Sequence, residues 1–139
     1  MYLGYNNIGP EGAVALGRAL ESNNNLQELL LNNNNIGPEG AVALGRALES
    51  NNTLQELNLR WNNIGNDGAV AIIGGIARNN TNTRLSYLTL AKNNITRLPA
   101  ELAQCPAATL RTFYYHNNPI DFIPPNVQRW LHRYQDQQN

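Results

Sequence analysis

Residues 35–52 read NIGPEGAVALGRALESNN, and residues 7–24 read the same eighteen letters. Ile8, Ile36 and Ile64 therefore stand 28 residues apart. A fixed period of this size marks a solenoid, in which each unit buries its apolar face only against its neighbours.

Around this stretch the second unit places Leu26, Leu29, Leu31, Asn34 and Ile36 in the pattern LxxLxLxxNxI. The third unit repeats it with Leu54, Leu57, Leu59, Asn62 and Ile64, and the fourth with Leu85, Leu88, Leu90, Asn93 and Ile95. A looser fifth unit has Leu110, Phe113, Tyr115, Asn118 and Ile120. The first unit keeps Met1, Leu3, Asn6 and Ile8. Alternation around Leu29 and Leu31 predicts a short strand with one buried face. The following Asn falls where the chain turns inward. A buried amide there can bond the backbone of its own and adjacent coils. Gly and Pro then punctuate a turn. Beyond the turn, Ala41, Leu44, Ala47 and Leu48 form one apolar stripe at helical period, and Ser50, Asn51 and Asn52 end the helix.

These residues closely resemble the leucine-rich repeat family, in its ribonuclease-inhibitor-like subtype of 28-residue repeats. The resemblance covers residues 1–84. It implies an α/β solenoid shaped as a horseshoe, with a parallel concave sheet and convex helices. The period then shortens: Leu85 and Leu110 are 25 residues apart, and residues 93–102 read NNITRLPAEL. Residues 85–122 thus resemble the shorter typical leucine-rich repeats, whose convex side is extended or briefly helical. Residues 79–84 (NNTNTR) lengthen the junction and are expected to form a loop. In residues 123–139, Val127, Trp130, Leu131 and Tyr134 share a helical face opposite Gln128, Arg129, His132 and Arg133, which suits a C-terminal cap helix followed by a frayed tail. A partner-binding amphipathic helix is the other reading of that segment. The whole chain, residues 1–139, is expected to be a single domain.

Net charge is zero, but six acids and two bases occupy residues 1–56, and eight bases and four acids follow. The halves should present opposite fields, which would steer a polar partner or favour self-pairing. The single cysteine, Cys105, forbids an internal disulfide and is expected in the core. It favours a cytoplasmic setting, with secretion into a host as the alternative. No apolar run is long enough for a membrane span. Glycosylation sequons occur at Asn51, Asn79 and Asn94, as chance would produce in an Asn-rich chain. Asparagine clusters such as residues 32–35 exceed one ladder position per repeat, an excess that nucleotide composition would account for.

No phosphate loop, metal-spaced Cys/His cluster or nucleophile elbow is present, so no enzyme activity, metal or cofactor is expected. His116 and His132 fall on the last strand and the cap helix, and Cys105 on a convex segment. The informative positions are the strand residues between the leucines, which face the concave surface. Stacked in register they form columns: Tyr2, Leu30, Asn58, Thr89, Tyr114; then Gly4, Asn32, Arg60, Ala91, His116; then Tyr5, Asn33, Trp61, Lys92, Asn117. Glu28, Glu56, Tyr87 and Thr112 form another. Here the repeats stop agreeing, whereas the helical parts of units one and two are identical. Trp61, Tyr87, Tyr114, Arg60 and Tyr5 are expected to anchor a protein or peptide partner, because aromatics and Arg dominate interaction hot spots. Asn58, Lys92 and His116 would stand at the rim. The competing reading is a ring of side chains that stack on each other and stiffen the sheet. Nucleic acid is not expected, because Glu28 and Glu56 share the face and bases are few. The first repeat has no cap in the sequence, so this chain is read as a fragment of a larger sensor or effector, or as a unit that forms a homo-oligomer through that edge. Ribonuclease-inhibitor-like repeats resemble those of GTPase-activating, innate-immune and effector proteins, a likeness of scaffold that does not carry function.

The ladder reading is testable at Asn62. Asn62→Ala should cost about 1–3 kcal/mol, because it strands backbone groups inside the coil. Chemical denaturation measures this, and an unchanged midpoint would refute the ladder.

Overall fold

The computed structural model describes residues 1–79, 83–106 and 109–132. The elements run α1 (Gly9–Ser22), β1 (Glu28–Leu30), α2 (Gly37–Leu48), β2 (Glu56–Asn58), α3 (Gly65–Arg78), β3 (Tyr87–Thr89), a 3-10 helix (Ala100–Gln104), β4 (Thr112–Tyr114) and α4 (Pro125–Leu131). The four strands form one parallel sheet in the order β1-β2-β3-β4. Tyr2 bridges to Leu30 and extends the sheet by a fifth contact. The register matches the repeat: Leu29, Leu57, Leu88 and Phe113 are successive partners. The expected α/β solenoid with convex helices is therefore the observed architecture.

The core lies between sheet and helices. Leu29, Leu31, Leu57, Leu59, Leu88, Leu90 and Phe113 enter it from the strand side. Ala41, Leu44, Ala47 and Leu48 meet them from α2. A fully buried leucine contributes about 1.5–3 kcal/mol. The ion pair Arg78–Glu49 is open to solvent at both ends, and such pairs contribute about 0–1 kcal/mol. Stability thus comes from repeated apolar layers.

Helices stack closely where the sequence supplies glycine. A methyl group on Gly45 would lie 2.2 Å from the carbonyl oxygen of Ala71 on α3, and one on Gly17 would lie 2.8 Å from that of Ala43 on α2. The next residue at this spacing is Ile73, fully buried. The element that follows α3 on this side is the shorter 3-10 helix.

Asparagines close the coils. Asn62 Nδ2 donates to the carbonyls of Leu31 and Leu59, at 2.8 and 3.1 Å. Its Oδ1 accepts from the backbone N–H groups of Asn34 and Ile36, at 2.9 and 3.3 Å. Asn34, Asn93 and Asn118 make the same set, each reaching back one coil. A second ladder runs along the opposite side. Asn51 Nδ2 donates to the carbonyls of Leu20 and Asn23, and its Oδ1 accepts from Thr53 and Leu54. Asn79 repeats the donation to Leu48 and Asn51. Left-handed backbone accounts for more: Asn7, Asn35, Asn63 and Asn94 all have φ between 51° and 58°, and asparagine adopts this region readily. Much of the asparagine beyond the first ladder thus has a structural place.

The C-terminal helix behaves as expected of a cap. Val127 and Leu131 are buried in the same core, and Trp130 lies edge-on to Phe113, with ring centroids 6.1 Å apart. Trp130 Nε1 also donates to the Cys105 carbonyl at 3.4 Å. Cys105 is buried, as expected. Arg133, Tyr134 and the tail lie outside the described residues, as does the middle of the 79–84 junction. The sequon at Asn51 is closed to modification, because that side chain is 6% exposed and fully bonded.

Gly45→Ala should cost more than about 2 kcal/mol, since the added methyl meets backbone that can move only by parting α2 from α3. Thermal unfolding checks it. The exposed neighbour Arg46→Ala should change stability by less than about 0.5 kcal/mol.

Candidate functional site

The strand columns of the sheet assemble in the expected register. Tyr2, Leu30, Asn58, Thr89 and Tyr114 are successive partners, and so are Glu28, Glu56, Tyr87 and Thr112. Inter-coil hydrogen bonds from Tyr5, Asn33, Trp61 and Lys92 to Asn32, Arg60, Ala91 and His116 fix the next two columns. All eight singled-out residues, Tyr5, Asn58, Arg60, Trp61, Tyr87, Lys92, Tyr114 and His116, therefore lie on the strands or at their C-terminal ends.

They divide into two groups. On the sheet, the Tyr87 and Tyr114 rings meet edge to face at 5.7 Å, and Tyr114 meets His116 at 5.8 Å. These side chains are half-buried. Thr89 and Ala91, small residues beside them, are buried. Burial also raises the Tyr87 hydroxyl above its ordinary value, helped by Tyr114 and Glu56 and opposed by Arg60. This group does stack, as the stiffening alternative requires.

The second group stands at the strand ends. Trp61 is 54% exposed and Tyr5 is 76% exposed. Lys92 Nζ lies 4.6 Å from the centroid of a Trp61 ring, a cation–π contact of about 0.5–1 kcal/mol at such a surface. Beside Trp61 is an open groove of about 330 Å³, lined also by Asn33, Asn35, Asn62 and Asn63.

This column has an unexpected backbone. Tyr5, Asn33, Trp61, Lys92 and Asn117 have φ values of 60°, 60°, 60°, 55° and 56°. The geometry recurs in every repeat, so the turn imposes it. Asn suits it; a bulky side chain is strained there by about 1–2 kcal/mol. Tyr5 and Trp61 thus occupy positions where the fold favours a smaller residue. No spacing in the sequence signals this, since neither is glycine or asparagine.

The electrostatics are split along the strands. Glu28 and Glu56 are paired side by side at the strand starts, and Glu28 accepts the Tyr2 hydroxyl at 3.1 Å. That bond, with the negative charge of Glu28, raises the Tyr2 hydroxyl above its ordinary value. Arg60 and Lys92 stand at the other end. Among the described residues no cluster of potential metal ligands occurs, and no helix is long and apolar enough to cross a membrane.

Comparison with known proteins adds the repeat type. A family model described as Leucine Rich repeat matches residues 2–17, 22–45 and 50–72. No curated protein matches the chain.

Tyr5→Asn should raise stability by about 0.5–1 kcal/mol, since it relieves left-handed strain and forfeits little packing. Trp61→Asn should be close to neutral, because relief is offset by the lost contact with Lys92. Melting curves of both variants check this, and a marked loss at Tyr5 would show that its ring supports the fold.

Proposed function

Residues 2–72 are leucine-rich repeats of the ribonuclease-inhibitor-like type, and on that premise we propose that the 139 residues act as one non-enzymatic protein-interaction domain. The repeats supply a rigid scaffold, and a partner protein or peptide is gripped on the concave face and its strand-end rim. The observation that carries this reading is Trp61. It is a large, half-exposed aromatic held in a backbone conformation that disfavours it, with cations beside it and no role in the core. Strain kept at an exposed residue points to selection for something other than folding. Trp61, Tyr5 and Arg60 are the anchors in this reading. Tyr87, Tyr114 and His116 form a stiff floor whose upper surfaces complete the contact, with Asn58 and Lys92 bordering it. A cytoplasmic location accords with the reduced, buried Cys105.

Self-association is the second reading. Met1, Leu16, Ala19, Leu20, Leu26 and Leu29 border an apolar cavity of about 60 Å³ on the outer side of the first coil, a surface that another coil would cover. Sedimentation across a concentration range separates the two readings: a dimer broken by Leu16→Glu favours this one.

The principal test is a double variant, Trp61→Ala with Tyr87→Ala. It should keep a cooperative unfolding transition while losing the proteins that the wild-type chain retains reproducibly. The expected loss is at least 2 kcal/mol, roughly thirtyfold in affinity, as for paired hot spots. Unchanged retention by a folded variant would place the site elsewhere.

A further inference from the structure

The groove beside Trp61 is specific enough in its chemistry to define what enters it. Its walls are Trp61 and the amides of Asn33, Asn35, Asn62 and Asn63. Asn62 is committed to the ladder through both its oxygen and its nitrogen. Asn33 and Asn63 use their oxygens to accept from Asn32 and Asn94. Among the described residues, the NH₂ groups of Asn33, Asn35 and Asn63 have no protein acceptor. The groove therefore offers donors at Asn33 and Asn63, and at Asn35 an amide with both its oxygen and its nitrogen open. An amide NH₂ carries two hydrogens and matches carbonyl or carboxylate oxygen.

Charge adds to this. Arg60 adjoins Trp61 in sequence, and Lys92 lies over the Trp61 ring. The described residues contain one ion pair, Arg78–Glu49, so neither Arg60 nor Lys92 is matched by a carboxylate. Donors, two unmatched cations and an exposed aromatic wall together suit a ligand with acceptor oxygens, a negative group and an apolar side chain.

A polyanion is a poor match, because Glu28 and Glu56 stand on the same face at the strand starts. Glu56 and Arg60 are four residue steps apart, roughly 13 Å at about 3.3 Å per residue in extended chain. A long nucleic acid or sulfated polysaccharide laid along the strands would bring anions over those carboxylates. A peptide presents its carboxylate locally and can place a neutral or basic residue over the glutamates.

Building on the concave-face reading, we infer that this groove takes an extended acidic peptide segment of a partner protein. An Asp or Glu side chain of that segment meets Arg60 and Lys92. A neighbouring apolar side chain lies on Trp61, and backbone carbonyls accept from Asn33, Asn35 and Asn63.

The test uses phage-displayed random peptides of roughly twelve residues, long enough to span the strands when extended. They are selected on the immobilised full chain, then synthesised and measured by fluorescence anisotropy. Selected peptides should carry Asp or Glu beside an apolar residue. R60E/K92E should weaken them at least about tenfold, and replacing their acids by Lys should restore binding to that variant. Trp61→Asn should also weaken them about tenfold while melting close to the wild-type temperature. No enrichment, peptides without acids, or affinities untouched by R60E/K92E would each overturn the inference. Heparin that binds as tightly and with the same dependence on Arg60 and Lys92 would also overturn it, reducing the groove to unspecific charge. Peptides lost in the Trp61→Ala/Tyr87→Ala variant but kept by R60E/K92E would refute recognition of an acidic group and leave Trp61 and Tyr87 as the contact.

Discussion

The amide of Asn62 holds two coils at once, and the architecture rests on its repetition. One side chain satisfies two carbonyls and two N–H groups, all in a turn with no regular ladder to serve them. An unpaired buried backbone group costs about 1–3 kcal/mol, so a coil without its asparagine would open toward water. The bonds also run in one direction, each asparagine reaching into the coil before it. This directional stitching sets the stacking order and register of the strands. The second ladder at Asn51 and Asn79 does the same along the other side of the solenoid, so the 28-residue coils are pinned at two corners.

Between those corners, packing is set by what is absent from the side chain. Gly17 and Gly45 let full helices lie backbone to backbone. The fourth coil carries a 3-10 helix in place of a full helix. The buried leucines then supply most of the favourable energy, and the surface ion pair adds little. This separation leaves the strand faces free to vary. Side chains there do not close the coils, and their packing is with the same face of adjacent coils.

The left-handed column at the strand ends joins scaffold to site. The turn imposes positive φ on Tyr5, Asn33, Trp61, Lys92 and Asn117 alike. The same constraint is easy for asparagine and strained for tryptophan. On the neighbouring columns Tyr87, Tyr114 and His116 support one another through edge-on ring contacts.

The sequence by itself determined the period, the strand and helix of the 28-residue coils, the parallel register, the core leucines and the ladder role of Asn62. These follow from residue type and spacing alone, because every unit meets the same neighbour at the same distance. The second ladder was also legible, since Asn23, Asn51 and Asn79 stand 28 residues apart, although their position after a helix reads first as a stop signal. Tertiary structure alone decided how exposed each strand-face side chain is. Tyr87 and Tyr114 sink against each other, Trp61 stays open under Lys92, and Thr89 and Ala91 disappear beneath their neighbours. Exposure and backbone strain depend on which residues adjacent coils bring alongside, and that information lies across the stack rather than along the chain.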